Sequence, residues 1–249
     1  MIPKIIHYCW FGGKPKPKMA ERCMASWKKY CPDYEIREWS EENYDVSAAP
    51  VYVQQAYAAK KWAFVTDFVR LDVVYNHGGI YLDTDVELLK NIDLLLDNSA
   101  YFGFEDGKRI NTGLGFGAEK NTEILRELMD DYKDIPFIKA NGDFDLTPCP
   151  ERNTKIFLRH GLRQDNSEQL LDENTRILPT AVLCPFDDPT GTKTITEETL
   201  SIHHFAASWE TRTRIFRKYF VRLMRPALPV FEKLLGKERL EKIKEKTRR

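Results

Sequence analysis

Two carboxylates one residue apart, Asp83 and Asp85, close the run Gly78-Gly79-Ile80-Tyr81-Leu82, and this juxtaposition constrains the chain more than any other segment. The run reads as a buried strand. Residues two apart on a strand share a face, so the two acids are expected to aim at one point just past the strand's C-terminal end, flanked on that side by Tyr81. Ligands of open α/β sheets bind at that edge. Converging carboxylates there suit magnesium or manganese, which take one or two protein carboxylates and fill their remaining positions with water and substrate phosphate oxygens. A nucleoside diphosphate is then the expected substrate, although paired acids at a strand end also serve simply to solvate a loop.

Upstream, Trp62 to Tyr75 carries apolar residues at Phe64, Val65, Phe68, Val69, Leu71 and Val73, the pattern of a mostly buried helix that stops at Asn76-His77-Gly78-Gly79. Asp67 and Arg70 lie three apart on one face of it. Exposed, such a pair is an ordinary helix ion pair worth a few tenths of a kcal/mol. Buried beside a metal site, the same residues would bind sugar hydroxyls and phosphate, for which the guanidinium fork is shaped.

Ala63-Phe64-Val65-Thr66-Asp67-Phe68-Val69-Arg70, followed by Gly78-Gly79-Ile80-Tyr81-Leu82-Asp83-Thr84-Asp85, resembles the signature of glycosyltransferase family 32, whose members carry a DXD motif. The opening segment Ile2 to Gly13 is similar to that family's first strand, and Ile202-His203-His204-Phe205-Ala206-Ala207-Ser208-Trp209 to its closing motif. The resemblance spans residues 2 to 209. It implies an α/β, GT-A-like Rossmann-type fold with a mixed, mainly parallel sheet flanked by helices. It also implies a metal-dependent, retaining transfer of a hexose from a UDP- or GDP-linked sugar to a saccharide acceptor. Asp67, Arg70, Asp83 and Asp85 are the expected catalytic set. Donor contacts are expected from Tyr8, Trp10, Asp67, Arg70, Tyr81, Asp83, Asn111, Ser208 and Trp209. The cation, manganese or magnesium, would be held by Asp83, Asp85 and His203.

The residues themselves bear on several of these assignments. Lys4 to Trp10 is a short apolar strand running into Gly12-Gly13, which sets Trp10 at the sheet edge where its ring could stack on a base, a contact worth about 1 to 3 kcal/mol elsewhere, or could instead join the core. Leu200 to His203 reads as a strand. His203 and His204 point to opposite faces, and either could complete the coordination, with His203 preferred. Three glycines in Asn111 to Gly117 suit a phosphate-cradling loop or a tight hairpin equally, and Glu119 to Tyr132 reads as an amphipathic helix. Asn141 to Asn153 is expected to be an ordered loop over the acceptor side, and Leu183 to Pro189 a strand ending in a turn with acids at Asp187 and Asp188.

At 249 residues, 42% hydrophobic and 31% charged, the chain has the composition of a soluble enzyme-sized domain. It contains no long apolar run or signal-peptide pattern. Five scattered cysteines without metal-ligand spacing read as reduced thiols and point to the cytoplasm. The formal charge of zero conceals a segregation, with residues 212–249 at net +10 and residues 1–211 at −10. Two parts are therefore expected: a catalytic domain over 1–211 and a basic, amphipathic helical tail over 212–249. The tail either packs on the acidic body or lies peripherally on an anionic membrane, where each basic residue contributes about 1 kcal/mol. Nucleic acid is not an expected partner, because the tail's aromatics fall on its apolar face. Tail and resemblance together suggest capsular or other surface polysaccharide synthesis on a lipid-linked acceptor at the cytoplasmic membrane face. The competing readings are a sugar-nucleotide binding protein without transfer activity and a nucleotide-sugar hydrolase.

Overall fold

The computed structural model describes residues 1–187 and 192–206. Ser208, Trp209, Asp188 and the basic tail lie outside the described residues, as do the expectations attached to them. In chain order the elements are β1 (Ile5–Cys9), α1 (Lys18–Tyr30), β2 (Glu35–Trp39), α2 (Val51–Ala58), α3 (Trp62–His77), β3 (Gly79–Tyr81), β4 (Val86–Leu88), β5 (Ala100–Gly103) and β6 (Phe116–Ala118). There follow α4 (Glu123–Asp130), α5 (Cys149–Arg159), β7 (Gln169–Leu171), β8 (Thr175–Leu178), α6 (Thr180–Leu183), β9 (Phe186–Asp187), β10 (Thr192–Lys193) and β11 (Ser201–His203).

Seven strands form one sheet in the order β2-β1-β3-β6-β5-β8-β7. Five point the same way, and β6 and β7 run against them. Both faces are covered, which is why β1, β3 and β5 are apolar almost throughout rather than alternating. Phe68 and Val69 of α3, Leu125 of α4 and Phe157 of α5 pack with Phe102 and Phe116 on one side, where the last two rings stack at 5.3 Å. Trp27 of α1 and Leu183 of α6 pack with Ile6, Ile80 and Tyr101 on the other. A mixed, mainly parallel sheet with helices on both faces is the GT-A-like arrangement expected. A separate two-stranded ladder pairs β4 with β11, Val86 standing opposite His203. Trp27 donates its indole N–H to the Val86 carbonyl at 2.8 Å, so α1 grips the segment that follows the two acids.

Residues Met1–Pro185 and Ile195–His203 make one compact unit, and Phe186–Thr194 with residues 204–206 belong to a second, in which β9 and β10 pair antiparallel. No described helix is long and apolar enough to cross a membrane.

Four local expectations are corrected. Asp83 and Asp85 are not on a strand: β3 stops at Tyr81 and both acids sit in a turn closed by Val86 N–H to the Asp83 carbonyl at 2.9 Å. Lys120-Asn121, with Asn121 in the left-handed region at φ 60°, delays α4 to Glu123. The Pro-rich segment is helical from Cys149, because Pro150 falls in the first turn, where the proline nitrogen has no hydrogen bond to lose. Leu183 ends a helical turn rather than starting a strand, since α6 begins after Pro179 and Pro185 prevents its extension.

Candidate active site

The centre of the site is built on the middle turns of α3. Asp67 and Arg70 are both buried, at 8% and 4% exposure, so the ordinary surface ion pair is excluded. One guanidinium nitrogen, Nη2 of Arg70, lies 3.2 Å from Oδ1 of Asp67 and 3.2 Å from Oδ1 of Asp83. Its Nε donates to the Thr66 carbonyl at 3.1 Å, and the group lies over the Tyr81 ring, 5.2 Å from the centroid. Tyr81 in turn donates its hydroxyl to Oδ1 of Asp83 at 2.9 Å. A cation thus bridges two acids that burial would otherwise neutralise. Burial pushes the Asp67 carboxyl up to about 6 against the pull of Arg70, and raises Asp83 by the same opposition. Arg70 is also desolvated, but Asp83, Tyr81 and Asp67 more than compensate and hold it firmly charged.

Beyond Asp83 the ladder of β4 with β11 delivers His203. Its Nε2 lies 3.2 Å from Oδ1 of Asp85 and 4.0 Å from Oδ2 of Asp83. One donor atom from each of Asp83, Asp85 and His203 falls within 4.8 Å of the others, and this is the one such group among the described residues. Burial works against a charged imidazole here, yet Asp85 and Asp83 raise its proton affinity, which records how strongly the pocket favours positive charge. Two carboxylate oxygens and an imidazole nitrogen fit a manganese- or magnesium-type ion, with room in its shell for phosphate and water. His204 is not part of the group.

Asn111 reaches this centre through the short turn Thr112–Leu114, where its Oδ1 accepts the Gly113 N–H at 2.6 Å. A methyl group on Gly113 would lie 2.6 Å from Oδ2 of Asp83 and 3.1 Å from Nη1 of Arg70. Glycine is required by the closeness of backbone to acids, not by a positive φ. Asp67, Arg70, Tyr81, Asp83, Asp85, Asn111 and His203 therefore come together. Tyr8 and Trp10 belong to a neighbouring group on the α1 side of β1: Tyr8 donates its hydroxyl to Glu38 at 2.5 Å, Lys16 bonds both Glu38 oxygens at 2.9 Å, and its Nζ stands 5.7 Å from the Trp10 ring centroid. Trp10 is half-buried, and its indole donates to the Lys14 carbonyl at 2.6 Å, so its faces are oriented by the Gly12-Gly13 turn region.

Three neighbours of these residues are invisible in the sequence pattern. Glu38 lies one residue before the end of an otherwise unremarked strand, Gly113 is one of several glycines, and Cys149 sits in a Pro-rich stretch that has no local signature of a site. Only their spatial neighbours single them out.

Residues 17–102 match the family described as a glycosyltransferase sugar-binding region containing a DXD motif. Among curated proteins, inositol phosphoceramide mannosyltransferase 3 of Schizosaccharomyces pombe is 32% identical over 40% of this chain and 29% of its own length. An uncharacterized glycosyltransferase of Acanthamoeba polyphaga mimivirus is 30% identical over 63% of each chain. The chain thus spans less than two thirds of either relative. A solved PaToxG glycosyltransferase is 20% identical, with a TM-score of 0.49, over 64% of this chain and 68% of that one.

Proposed function

We propose that this chain, whose residues 17–102 match the DXD-motif glycosyltransferase family, transfers a hexose from a nucleoside diphosphate sugar to a saccharide acceptor with retention of configuration. The observation that carries this reading is the apposition of an Asp83, Asp85 and His203 donor set with a buried Asp67–Arg70 pair, a cation-binding corner beside a hydroxyl- and phosphate-binding one. A divalent ion held by Asp83, Asp85 and His203 would supply Lewis-acid stabilisation of the diphosphate, worth several kcal/mol. Arg70 adds a fixed positive charge that needs no reorganisation when the leaving group departs, since Thr66, Asp67 and Asp83 already hold it. Asp67 and Asp83 orient sugar hydroxyls, and Asn111 closes the pocket opposite them. With the carboxylates committed to Arg70 and to cation binding, attack falls to the acceptor hydroxyl on the face the phosphate leaves, and the leaving phosphate accepts its proton.

The mannosyltransferase relative supports a hexose donor, with the base, uridine or guanosine, open to the Trp10 group. The basic segment 212–249 supports a lipid-linked acceptor at an anionic, cytoplasm-facing membrane, as in surface polysaccharide assembly. The test is thermal stabilisation by a panel of UDP- and GDP-sugars with and without manganese, on wild type and Asp85→Ala. A metal-dependent rise with one donor, lost in the variant, is expected, and at about 100 times the dissociation constant it should reach roughly 2.7 kcal/mol. Stabilisation without transfer to any saccharide would favour a binding protein, and sugar release at an undiminished rate without acceptor a hydrolase. No stabilisation by any donor would sink the donor site itself.

A further inference from the structure

The buried thiol of Cys149 has no part in the reading above, yet it touches three of its residues. Cys149 opens α5, and Sγ donates to Oδ1 of Asn111 at 3.3 Å while lying 3.8 Å from Nη1 of Arg70. Arg70 can only donate, so the thiol proton is left for an oxygen. Asp67 also borders the sulfur and draws on the same proton. Burial, with Asp67 next in weight, keeps this sulfur in the protonated, donor form.

The consequence falls on Asn111. Its Oδ1 faces two donors, the Gly113 N–H and the Cys149 thiol, and an amide nitrogen could not accept the first and would forgo the thiol's proton at the second. The carboxamide is therefore turned so that Nδ2 points away from both. The second turn of α5 holds the same loop: Asn153 donates to the Thr112 hydroxyl at 3.1 Å, and Thr154 accepts the Ile110 N–H at 2.9 Å. Three side chains of one helix thus stitch residues 110–112 into place.

We propose that Cys149 is a positioning residue of the donor site, whose thiol locks the Asn111 carboxamide with its N–H groups presented to an oxygen of the sugar nucleotide. This rests on the donor-site reading. Serine, with a hydroxyl donor of similar reach, should substitute for the thiol, and alanine should not.

Calorimetric titration of the full chain with manganese and each UDP- and GDP-sugar tests the proposal on wild type, Cys149→Ala, Cys149→Ser, Asn111→Ala and the Cys149→Ala/Asn111→Ala pair. Cys149→Ala should weaken the preferred donor about fivefold, the worth of one neutral hydrogen bond. Cys149→Ser should restore affinity to within about twofold, and Cys149→Ala should have no further effect once Asn111 is alanine. A merely structural cysteine would weaken binding equally in both backgrounds, and that result overturns the proposal. Asn111→Asp gives a second readout that leaves the thiol in place: it keeps the tied oxygen, removes the N–H groups, and should cost at least about tenfold. Unchanged affinity in that variant is equally fatal. Failure of wild type to bind any donor overturns the proposed function and this inference together, whereas normal wild-type binding with an unaffected Cys149→Ala overturns this inference alone.

Discussion

Gly113 approaches Asp83 so closely that a single added carbon would lie 2.6 Å from the carboxylate oxygen Oδ2. The backbone of the Asn111 turn is in effect one wall of the acidic pocket. Gly113→Ala should push Asp83 and Arg70 from their mutual contact at a cost of about 1 to 3 kcal/mol in folding stability. Manganese affinity, read by calorimetry, should fall with it. Unaltered metal binding in a folded Gly113→Ala protein would show that the pocket tolerates displacement of Asp83.

His203 and His204 are adjacent in sequence, but only His203 joins Asp83 and Asp85 in the cluster that could hold a cation. His203→Ala should lower manganese affinity by at least about tenfold, while His204→Ala should change it by less than about twofold. Titration of both variants with manganese alone separates the two residues, and equal losses would count against the assignment.

Arg70 is flanked by Asp67 and Asp83 at equal distances, so removing its charge strands two acids. Arg70→Met should destabilise the protein by about 3 to 5 kcal/mol in urea unfolding, as for other broken buried pairs. Returning the trio to its native net charge of one negative by Asp67→Asn in the same chain should recover part of that loss. Additive losses in the double variant would mean the three groups are not coupled.

His7 governs an acid-side instability. Its Nδ1 accepts the Trp39 indole N–H at 3.0 Å, so Nε2 carries the proton that bonds the Gly78 carbonyl at 2.8 Å. Burial lowers its pKa to about 4, the Gly78 bond opposing. Above pH 6.5 the ring is neutral in both folded and unfolded chains and full stability is present. As pH falls from about 6.5 toward 4, only the unfolded chain takes up the proton, so stability is lost, by about 2 kcal/mol at pH 5. Urea unfolding at pH 7 and pH 5 should show this loss in wild type and much less of it in His7→Gln. A His7 resonance titrating near 6.5 in the native protein would contradict it.

The helix carrying Asp67 and Arg70 was legible because seven of the eleven residues from Phe64 to Val74 are apolar, a density that demands burial. The opening strand was legible for the same reason. The strand assigned to Asp83 and Asp85 was not, since alternation cannot distinguish the last strand residue from a turn that follows it, and the turn itself brings the acids together. Cys149 and Gly113 were hidden because their roles depend on contacts 30 or more residues away in sequence, to Asn111, Arg70 and Asp83. Spacing arguments reach only neighbours on the same element.

The ladder that sets Val86 opposite His203 joins segments more than a hundred residues apart. During synthesis both acids leave the ribosome long before their histidine partner does. A chain emerging from the N-terminus can close its parallel core of β1, β2 and β3 early, but the proposed cation site stays a pair of acids until the second strand of that ladder docks. The site is thus a late clasp, and competence to hold an ion would report that folding has reached residue 203.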